Sequence, residues 1–329
     1  MEIVLSVLGG LGLFLFALNN LSDSLKEILG ENAKKWMNYC TKNLITAILT
    51  GIFITVILDS SSAVIIITIV LVNAKALTFR QSLGVVLGAN IGTTFSSQLI
   101  ALDIGQYSPI PIILGLIFTF FVKNEKIAKP AKVLLYFGIL FFGLYTMERA
   151  VEPLHGHPQF INWMSKLESP YRGAGIGALV TLVVQSSSAT VGMAITLAKK
   201  ALLTLPAGIA IMLGAELGTC SDTLFATIRA DRQAVKTGLF HLSFNLFSIC
   251  VGLIVFPWLV QFIEAISGSA SIEQKIANSH MIFNAGGVLL ILPFITLIEK
   301  LINKLLPVKE ALNQMTSENH QGQLQAERQ

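Results

Sequence analysis

The sequence predicts an all-α membrane protein with several spans, built from two copies of one segment. Hydrophobic residues make up 53% of the chain and charged residues 13%, and the mean hydropathy is +0.70. A soluble domain carries about 25% charged residues. Here the charges cluster between apolar stretches, many of them close to the ~20 residues that a membrane-spanning helix needs. These stretches are too continuous for the alternating strands of a membrane β-barrel.

The apolar stretches give the predicted elements in chain order. They cover residues 3–21, 44–72, 83–102, 109–122, 133–147, 174–198, 203–228, 237–263 and 279–302. Residues 22–43 are polar and predict an interfacial helix, and residues 148–173 predict a polar connector. We expect a first transmembrane repeat at 1–122, a second repeat with extra C-terminal spans at 123–302, and a polar cytoplasmic tail at 303–329, disordered from residue 308 because of its composition.

One stretch occurs twice, at a fixed spacing of 126 residues. Residues 60–63, Ser-Ser-Ser-Ala, recur at 186–189, and fifteen of the 44 positions from 51 to 94 are identical at this spacing. The same spacing matches the first apolar stretch, 3–21, with the one at 133–147. This identity exceeds what shared hydrophobicity gives, so the chain carries an internal duplication.

Loop charges indicate how the two copies are oriented. If each serine triplet is the tip of a re-entrant hairpin, the second copy is inverted relative to the first. The basic segments then share one side of the membrane: 22–43, 73–82, 123–132, 229–236 and the part after residue 302. Residues 148–173 and the pair Lys199-Lys200 are exceptions. The positive-inside rule favours these inverted repeats, with the N-terminus outside and the C-terminus in the cytoplasm.

The serine triplets and two Gly-rich stretches offer polar ligands at membrane depth. A hairpin tip frees backbone carbonyls and amides, and serine hydroxyls both donate and accept, so the tips suit a cation or an oxyanion. At residues 88–94, Gly-Ala-Asn-Ile-Gly-Thr-Thr, we expect a broken helix with Asn90, Thr93 and Thr94 as ligands. Residues 214–220 match them. Packing of small residues explains one such segment better, but four in register favour an ion and anion site.

These motifs resemble the type II sodium–phosphate cotransporter family. The resemblance rests on Gln185-Ser186-Ser187-Ser188 and on the Gly-x-Asn-Ile-Gly-Thr stretch at 88–93, and it extends over residues 1–302. His-x-x-Phe-Asn segments at 241–245 and 280–284 also resemble motifs of that family. The resemblance implies Na⁺-driven phosphate uptake by alternating access, with both ions held by the two signature regions. Bacterial relatives often carry a soluble C-terminal domain, which we expect this chain to lack.

The chain departs from the family pattern at two positions. Asp59 stands where the family has Gln, and Glu216 stands where it has Asn. Two carboxylates repel a phosphate dianion unless cations or protons neutralise them. We therefore expect both to be cation ligands, with a shift of substrate as the alternative. His241 and His280 are weaker candidates, since bonds between helices explain them equally well, and Asp222 is a further ligand candidate.

The candidate residues form two overlapping sets. The expected phosphate ligands are Ser60, Ser61, Ser62, Ser186, Ser187, Ser188, Asn90, Thr93 and Thr219. The expected sodium ligands are Asp59, Gln185, Asn90, Glu216, Thr94, Ser62 and Ser188. Beyond sodium as the coupling ion, we expect no metal and no cofactor.

The leading interpretation is a secondary active transporter that couples inward sodium movement to uptake of inorganic phosphate. Alternatives are another small oxyanion, a proton-coupled variant, and, from another class, an anion channel or a sensor. The sequence has no Walker A pattern and no nucleophile–base arrangement, so we expect no enzyme. The expected partners are phosphate, sodium ions and the lipid bilayer of a bacterial cell membrane, with no nucleic acid; a homo-oligomer stays open.

Overall fold

The computed structural model describes residues 2–102 and 104–307, apart from the side chains of residues 155 and 156. Regular structure in these ranges is entirely helical. The helices are α1 (Glu2–Cys40), α2 (Leu44–Leu58), α3 (Ser61–Asn73), α4 (Phe79–Ile100), α5 (Pro109–Phe121), α6 (Glu125–Val151), α7 (Pro158–Ser165), α8 (Pro170–Val184), α9 (Ser187–Lys199), α10 (Leu205–Gly218), α11 (Cys220–Phe225), α12 (Arg232–Ile254), α13 (Phe256–Ser267), α14 (Ile272–Ile291) and α15 (Ile295–Leu305). The predicted disordered tail, 308–329, lies outside the described residues.

Five helical segments in the described ranges are long and apolar enough to cross a membrane. They are Glu2–Cys40, Phe79–Ile100, Glu125–Leu154, Arg232–Ile254 and Ile272–Leu305. Four further apolar segments of 10–17 residues, which include α2, α3, α5 and α8, are shorter than a full span. The prediction of an all-α polytopic membrane protein is confirmed.

The first helix is longer than predicted. α1 continues without a break through residues 22–40, so the separate interfacial helix expected at 22–43 is wrong. Its 39 residues extend about 58 Å. The extension packs first along α6, where Glu27 forms an ion pair with Lys129 at 3.2 Å, and then against α2, where the ring of Trp36 lies beside that of Phe53. Packing against neighbouring helices thus continues a helix that the composition alone ends at the membrane surface.

The first Gly-rich stretch does not break its helix. α4 is continuous, so the unwinding predicted at 88–94 is wrong. A glycine inside a helix costs about 0.5–1 kcal/mol relative to alanine, but Gly88 lies against the carbonyl of Ile48, where a side chain has no room. The glycine therefore permits close packing. In the second repeat only Thr219 separates α10 from α11, and its φ of −63° and ψ of −24° stay in the helical region.

The first serine triplet lies at the tip of a helical hairpin. Gly84 lies against Ala47, early in α4 and α2, and Gly92 lies against Thr55, further along the same two helices. α4 therefore runs parallel to α2. Because α3 joins the end of α2 to the start of α4, it runs back antiparallel to both. We call α2 and α3 hairpin 1, with its tip at residues 59–62.

The second repeat builds the same unit. Ala210 lies against Gly173 and Gly218 lies against Thr181, so α10 runs parallel to α8 and α9 returns between their ends. These contacts lie 126 positions after those of the first repeat. We call α8 and α9 hairpin 2, with its tip at residues 185–188. The duplication seen in the sequence therefore extends to the backbone contacts.

The helices matched by the repeat spacing run in opposite directions. Gly10 of α1 lies against Gly143 of α6, while Glu27 pairs with Lys129, so α1 and α6 are antiparallel. This arrangement supports the inversion of the two repeats, which stays a prediction.

Contacts between helix ends agree with the predicted sides. Asn73 bonds to Asp231 and Arg80 to Glu299 on the basic side, and Glu148 bonds to Lys199 and Thr204 to Glu168 on the other.

The two C-terminal stretches are each divided. The span predicted at 237–263 is α12 followed by α13, with Val255 between them and Pro257 in the first turn of α13. The span predicted at 279–302 is α14 followed by α15, separated by a 3₁₀ turn that contains Pro293. Proline cannot donate the helical hydrogen bond and clashes with the preceding turn, which explains both interruptions.

Candidate functional site

The two hairpin tips have the same local structure. Asp59 ends α2 and Gln185 ends α8, both in the left-handed region, with φ of 49° and 59°. Ser60 and Ser186 then begin α3 and α9 as N-caps, and each Oγ accepts a hydrogen bond from the backbone amide three residues ahead at 3.2 Å. The left-handed residue reverses the chain and the serine starts the next helix. This explains why the polar residues come directly before each apolar return helix.

Both tips line one cavity of about 300 Å³. Its walls come from Leu18, Asn19, Ser22, Asp23, Lys26, Asp59, Ser60, Ser61, Ser62, Thr93, Gln185, Ser186, Ser187, Ser188 and Thr219. The cavity therefore brings together both complete serine triplets and the two threonines at matching positions of the Gly-rich stretches. Ten of the thirteen predicted site residues line it.

Helix ends of both signs meet at this cavity. α3 and α9 begin there, and the positive end of a helix dipole favours an anion. α2 and α8 end there, and carbonyls at the end of an interrupted helix suit a coupling cation. Together with the serine hydroxyls, this arrangement can hold a small oxyanion and a monovalent cation side by side.

The third serine of each triplet contacts the opposite repeat. Ser62 Oγ donates to Asp222 Oδ2 at 3.2 Å, and Ser188 Oγ lies 3.5 Å from Thr93 Oγ1. Asp59 is held within its own repeat, because Ser96 Oγ donates to its carboxylate. A movement of one repeat against the other would therefore change the contacts of both third serines.

Two of the thirteen predicted ligands have side chains that bond to their own helix instead of lining the cavity. Asn90 donates to a carbonyl one turn earlier in α4 at 2.9 Å, and Thr94 donates to one at 2.7 Å. Both residues are buried. Since α4 stays helical, only Thr93 of this stretch faces the cavity.

The third residue outside the cavity is Glu216. Its Oε1 lies 2.7 Å from His280 Nε2, and His280 Nδ1 lies 2.7 Å from Ser97 Oγ. His241 bonds in a similar way to Thr223, at 2.9 Å from Nδ1. Ser97 and Thr223 are 126 residues apart, so each histidine joins a matching position of one repeat to an added C-terminal helix.

Sequence analysis missed the contribution of α1. Asn19, Ser22, Asp23 and Lys26 line the cavity, and their spacing of three, four and seven residues places them on one helix face. Ser22 Oγ also donates to the carbonyl of Leu58 at 3.2 Å, which ties α1 to the end of α2. The periodic spacing is present in the sequence. It does not stand out there, because residues 22–26 resemble the polar end of a membrane span.

The charged residues that line the cavity are Asp23, Asp59 and Lys26. Two carboxylates face one ammonium group, so the formal charge of the lining is negative. A phosphate ion placed there adds further negative charge and requires cations to balance it.

The profile of the Na⁺/Pi-cotransporter family matches residues 13–149 and 152–291. The chain belongs to this family. The family match covers both hairpins, the cavity and α12 to α14, so membership supports phosphate transport by this protein.

The curated relatives of this Na⁺/Pi-cotransporter-family chain differ in length and name. YqeW of Bacillus subtilis, an uncharacterized protein, is 28% identical over 305 residues, which is 90% of this chain and 96% of YqeW. YjbB of Escherichia coli K12, named as a candidate inorganic phosphate export protein, is 23% identical over 89% of the chain, which spans about half (54%) of YjbB. Human sodium-dependent phosphate transport protein 2B is 31% identical over 131 residues, 36% of the chain and 19% of that protein. No solved structure matches the chain.

Proposed function

We propose that this protein is a secondary transporter that moves inorganic phosphate by alternating access and uses Na⁺ as the coupling ion. The observation that carries the proposal is the single cavity formed by both serine triplets. Its volume of about 300 Å³ accommodates a small oxyanion together with ions or water. Family membership supplies phosphate as the substrate class.

The charge and the oxygen ligands of the cavity support sodium as the coupling ion. A dianion is unstable beside Asp23 and Asp59 unless cations are bound with it. Carboxylate, hydroxyl and amide oxygens from Asp59, Ser62 and Gln185 can coordinate a hard monovalent cation. Bound cations offset the negative charge of phosphate and of the lining, so the empty and fully loaded carriers are the forms best suited to cross between states.

We propose uptake as the direction of transport. A symporter moves phosphate with the Na⁺ gradient, so an inward gradient drives uptake. We place the N-terminus outside and the C-terminus in the cytoplasm of a bacterial cell membrane, on the basis of loop charge. Phosphate export is the second candidate, because YjbB is named for it.

Flux of radiolabelled phosphate in proteoliposomes tests the proposal. We expect saturable phosphate uptake with an inward Na⁺ gradient. Uptake should be small when an equal inward K⁺ gradient replaces the Na⁺ gradient, or when the Na⁺ concentration is equal on both sides. Ser187→Ala removes a hydroxyl from the cavity and should slow uptake, whereas Ser279→Ala, at a buried serine outside the cavity, is the matched control. Flux that ignores the Na⁺ gradient would contradict sodium coupling. Preloaded vesicles test the second candidate. Phosphate release that depends on external K⁺ and not on internal Na⁺ would favour export coupled to a different ion.

A further inference from the structure

We propose that α1 forms the third wall of the substrate cavity and that Lys26 binds phosphate there, held by Asp23 while the cavity is empty. This inference rests on the proposed function and adds a residue outside the two duplicated signature regions. It predicts that affinity for the anion depends on the first helix as well as on the hairpin tips.

The geometry places a polar face of α1 against the hairpin tips. Asn19, Ser22, Asp23 and Lys26 all line the cavity together with both serine triplets. A hydrogen bond of 3.2 Å from Ser22 Oγ to the carbonyl of Leu58 holds this face of α1 against the end of α2. Leu58 directly precedes Asp59. The wall is therefore attached to hairpin 1 at the place where its tip begins.

Charge identifies Lys26 as the residue of that wall that an anion would contact. Among the described residues that line the cavity, Lys26 is the one with a basic side chain. Lysine binds phosphate as a mobile point charge on a flexible four-carbon stem. The carboxylates of Asp23 and Asp59 oppose an anion, so a cation from the protein stabilises a bound phosphate in addition to any bound sodium.

The contact between Lys26 and Asp23 is suited to exchange. Lys26 Nζ lies 3.0 Å from Asp23 Oδ1, and the two side chains are 39% and 73% exposed. Such an exposed pair adds little to stability. Lys26 can therefore leave Asp23 for an incoming phosphate oxygen at small cost, which keeps the lysine close to the cavity before the anion arrives.

The same helix contains a matched pair away from the cavity. Lys34 Nζ lies 2.8 Å from Glu31 Oε1 at the same spacing, with side chains 50% and 80% exposed. Neither residue lines the cavity. A substitution at Lys34 therefore repeats the loss of charge and of the ion pair on α1 without altering the cavity.

The test compares phosphate uptake by the wild type and by Lys26→Gln, Lys26→Arg and Lys34→Gln in proteoliposomes under one Na⁺ gradient. We expect Lys26→Gln to raise the half-saturating phosphate concentration about tenfold or more, because a hydrogen bond to a charged group is lost. The maximal rate should change less. Lys26→Arg should stay within about threefold of the wild type, since it keeps the charge, and Lys34→Gln should match the wild type. Asp23→Asn should lower the half-saturating concentration.

The outcomes separate this inference from the proposed function. If the wild type takes up phosphate and Lys26→Gln has the same half-saturating concentration as Lys34→Gln, Lys26 does not bind the anion and the inference is overturned. If Lys26→Arg is as weak as Lys26→Gln, the charge is not what matters, which also overturns it. A wild type without saturable phosphate flux would overturn the proposed function and this inference together. Thermal unfolding in detergent confirms that each variant is folded.

Discussion

His280 Nε2 lies 2.7 Å from Glu216 Oε1, and both side chains are buried, at 0% and 3% exposure. Through the further contact of His280 with Ser97, this pair joins α14 to α10 of the second repeat and to α4 of the first. The structure therefore gives the carboxylate of Glu216 a partner within the protein, at the position where the family resemblance leads one to expect asparagine.

Removing the histidine should destabilise the protein. His280→Ala leaves the buried carboxyl group of Glu216 without its partner, which costs about 1–3 kcal/mol and more if the group is charged. We expect a lower midpoint of thermal unfolding in detergent. His157→Ala, at an exposed histidine, is the control and should leave the midpoint unchanged. Equal midpoints for the two variants would show that the pair contributes nothing to stability.

The two unusual carboxylates should differ in their effect on sodium. Asp59 lines the cavity, whereas Glu216 does not. We expect Asp59→Asn to raise the Na⁺ concentration for half-maximal uptake about tenfold, since asparagine tolerates the left-handed backbone but lacks the charge. Glu216→Gln keeps a hydrogen-bonding group beside His280 and should change that concentration less than about threefold. Unchanged Na⁺ affinity and cooperativity in Asp59→Asn would rule out Asp59 as a cation ligand.

The glycines of the two parallel helix pairs should not tolerate side chains. Gly88 lies against the carbonyl of Ile48 and Gly214 against that of Ala174, so a methyl group at either position forces the helices apart. We expect Gly88→Ala and Gly214→Ala to lower stability by about 1–3 kcal/mol and to reduce uptake. Gly175→Ala on α8 meets open space and should stabilise by up to about 1 kcal/mol, because alanine favours the helix. The midpoints of thermal unfolding of the three variants test these expected changes in stability.

The proposed orientation can be tested at a native cysteine. Cys40 is exposed at the end of α1, on the side that loop charge assigns to the cytoplasm. In intact cells, and with exposed Cys250 replaced by serine, an impermeant thiol reagent should leave Cys40 unmodified. A cysteine introduced at exposed Gln106, on the opposite side, should react. The reverse pattern would invert the orientation.

The sequence predicts most of this site because its signals are local. The duplicated serine triplets, their spacing of 126 residues and the loop charges are enough to predict two hairpins with polar tips. The left-handed residue and the N-cap serine at each tip come from the structure, and helix-end chemistry explains them. The structure adds that both tips line the same cavity, which depends on packing between repeats.

Packing also explains what the sequence does not predict. The glycines at 88–94 suit either an unwound chain or a close helix contact, and only the neighbouring α2 decides for the contact. Asn90 and Thr94 consequently turn to their own helix. Residues 22–40 stay helical because α6 and then α2 support them, and this places Lys26 at the cavity.

Protection of cysteines at the two hairpin tips tests the central claim most directly. In a background in which Cys250, the exposed cysteine other than Cys40, is replaced by serine, Ser62→Cys and Gln185→Cys each place a thiol at the cavity. We predict that saturating phosphate slows alkylation of both thiols in Na⁺ but not in K⁺, while alkylation of Cys40, outside the cavity, is unchanged. Phosphate that protects neither tip, or only one of them, would contradict a shared substrate site between the hairpins.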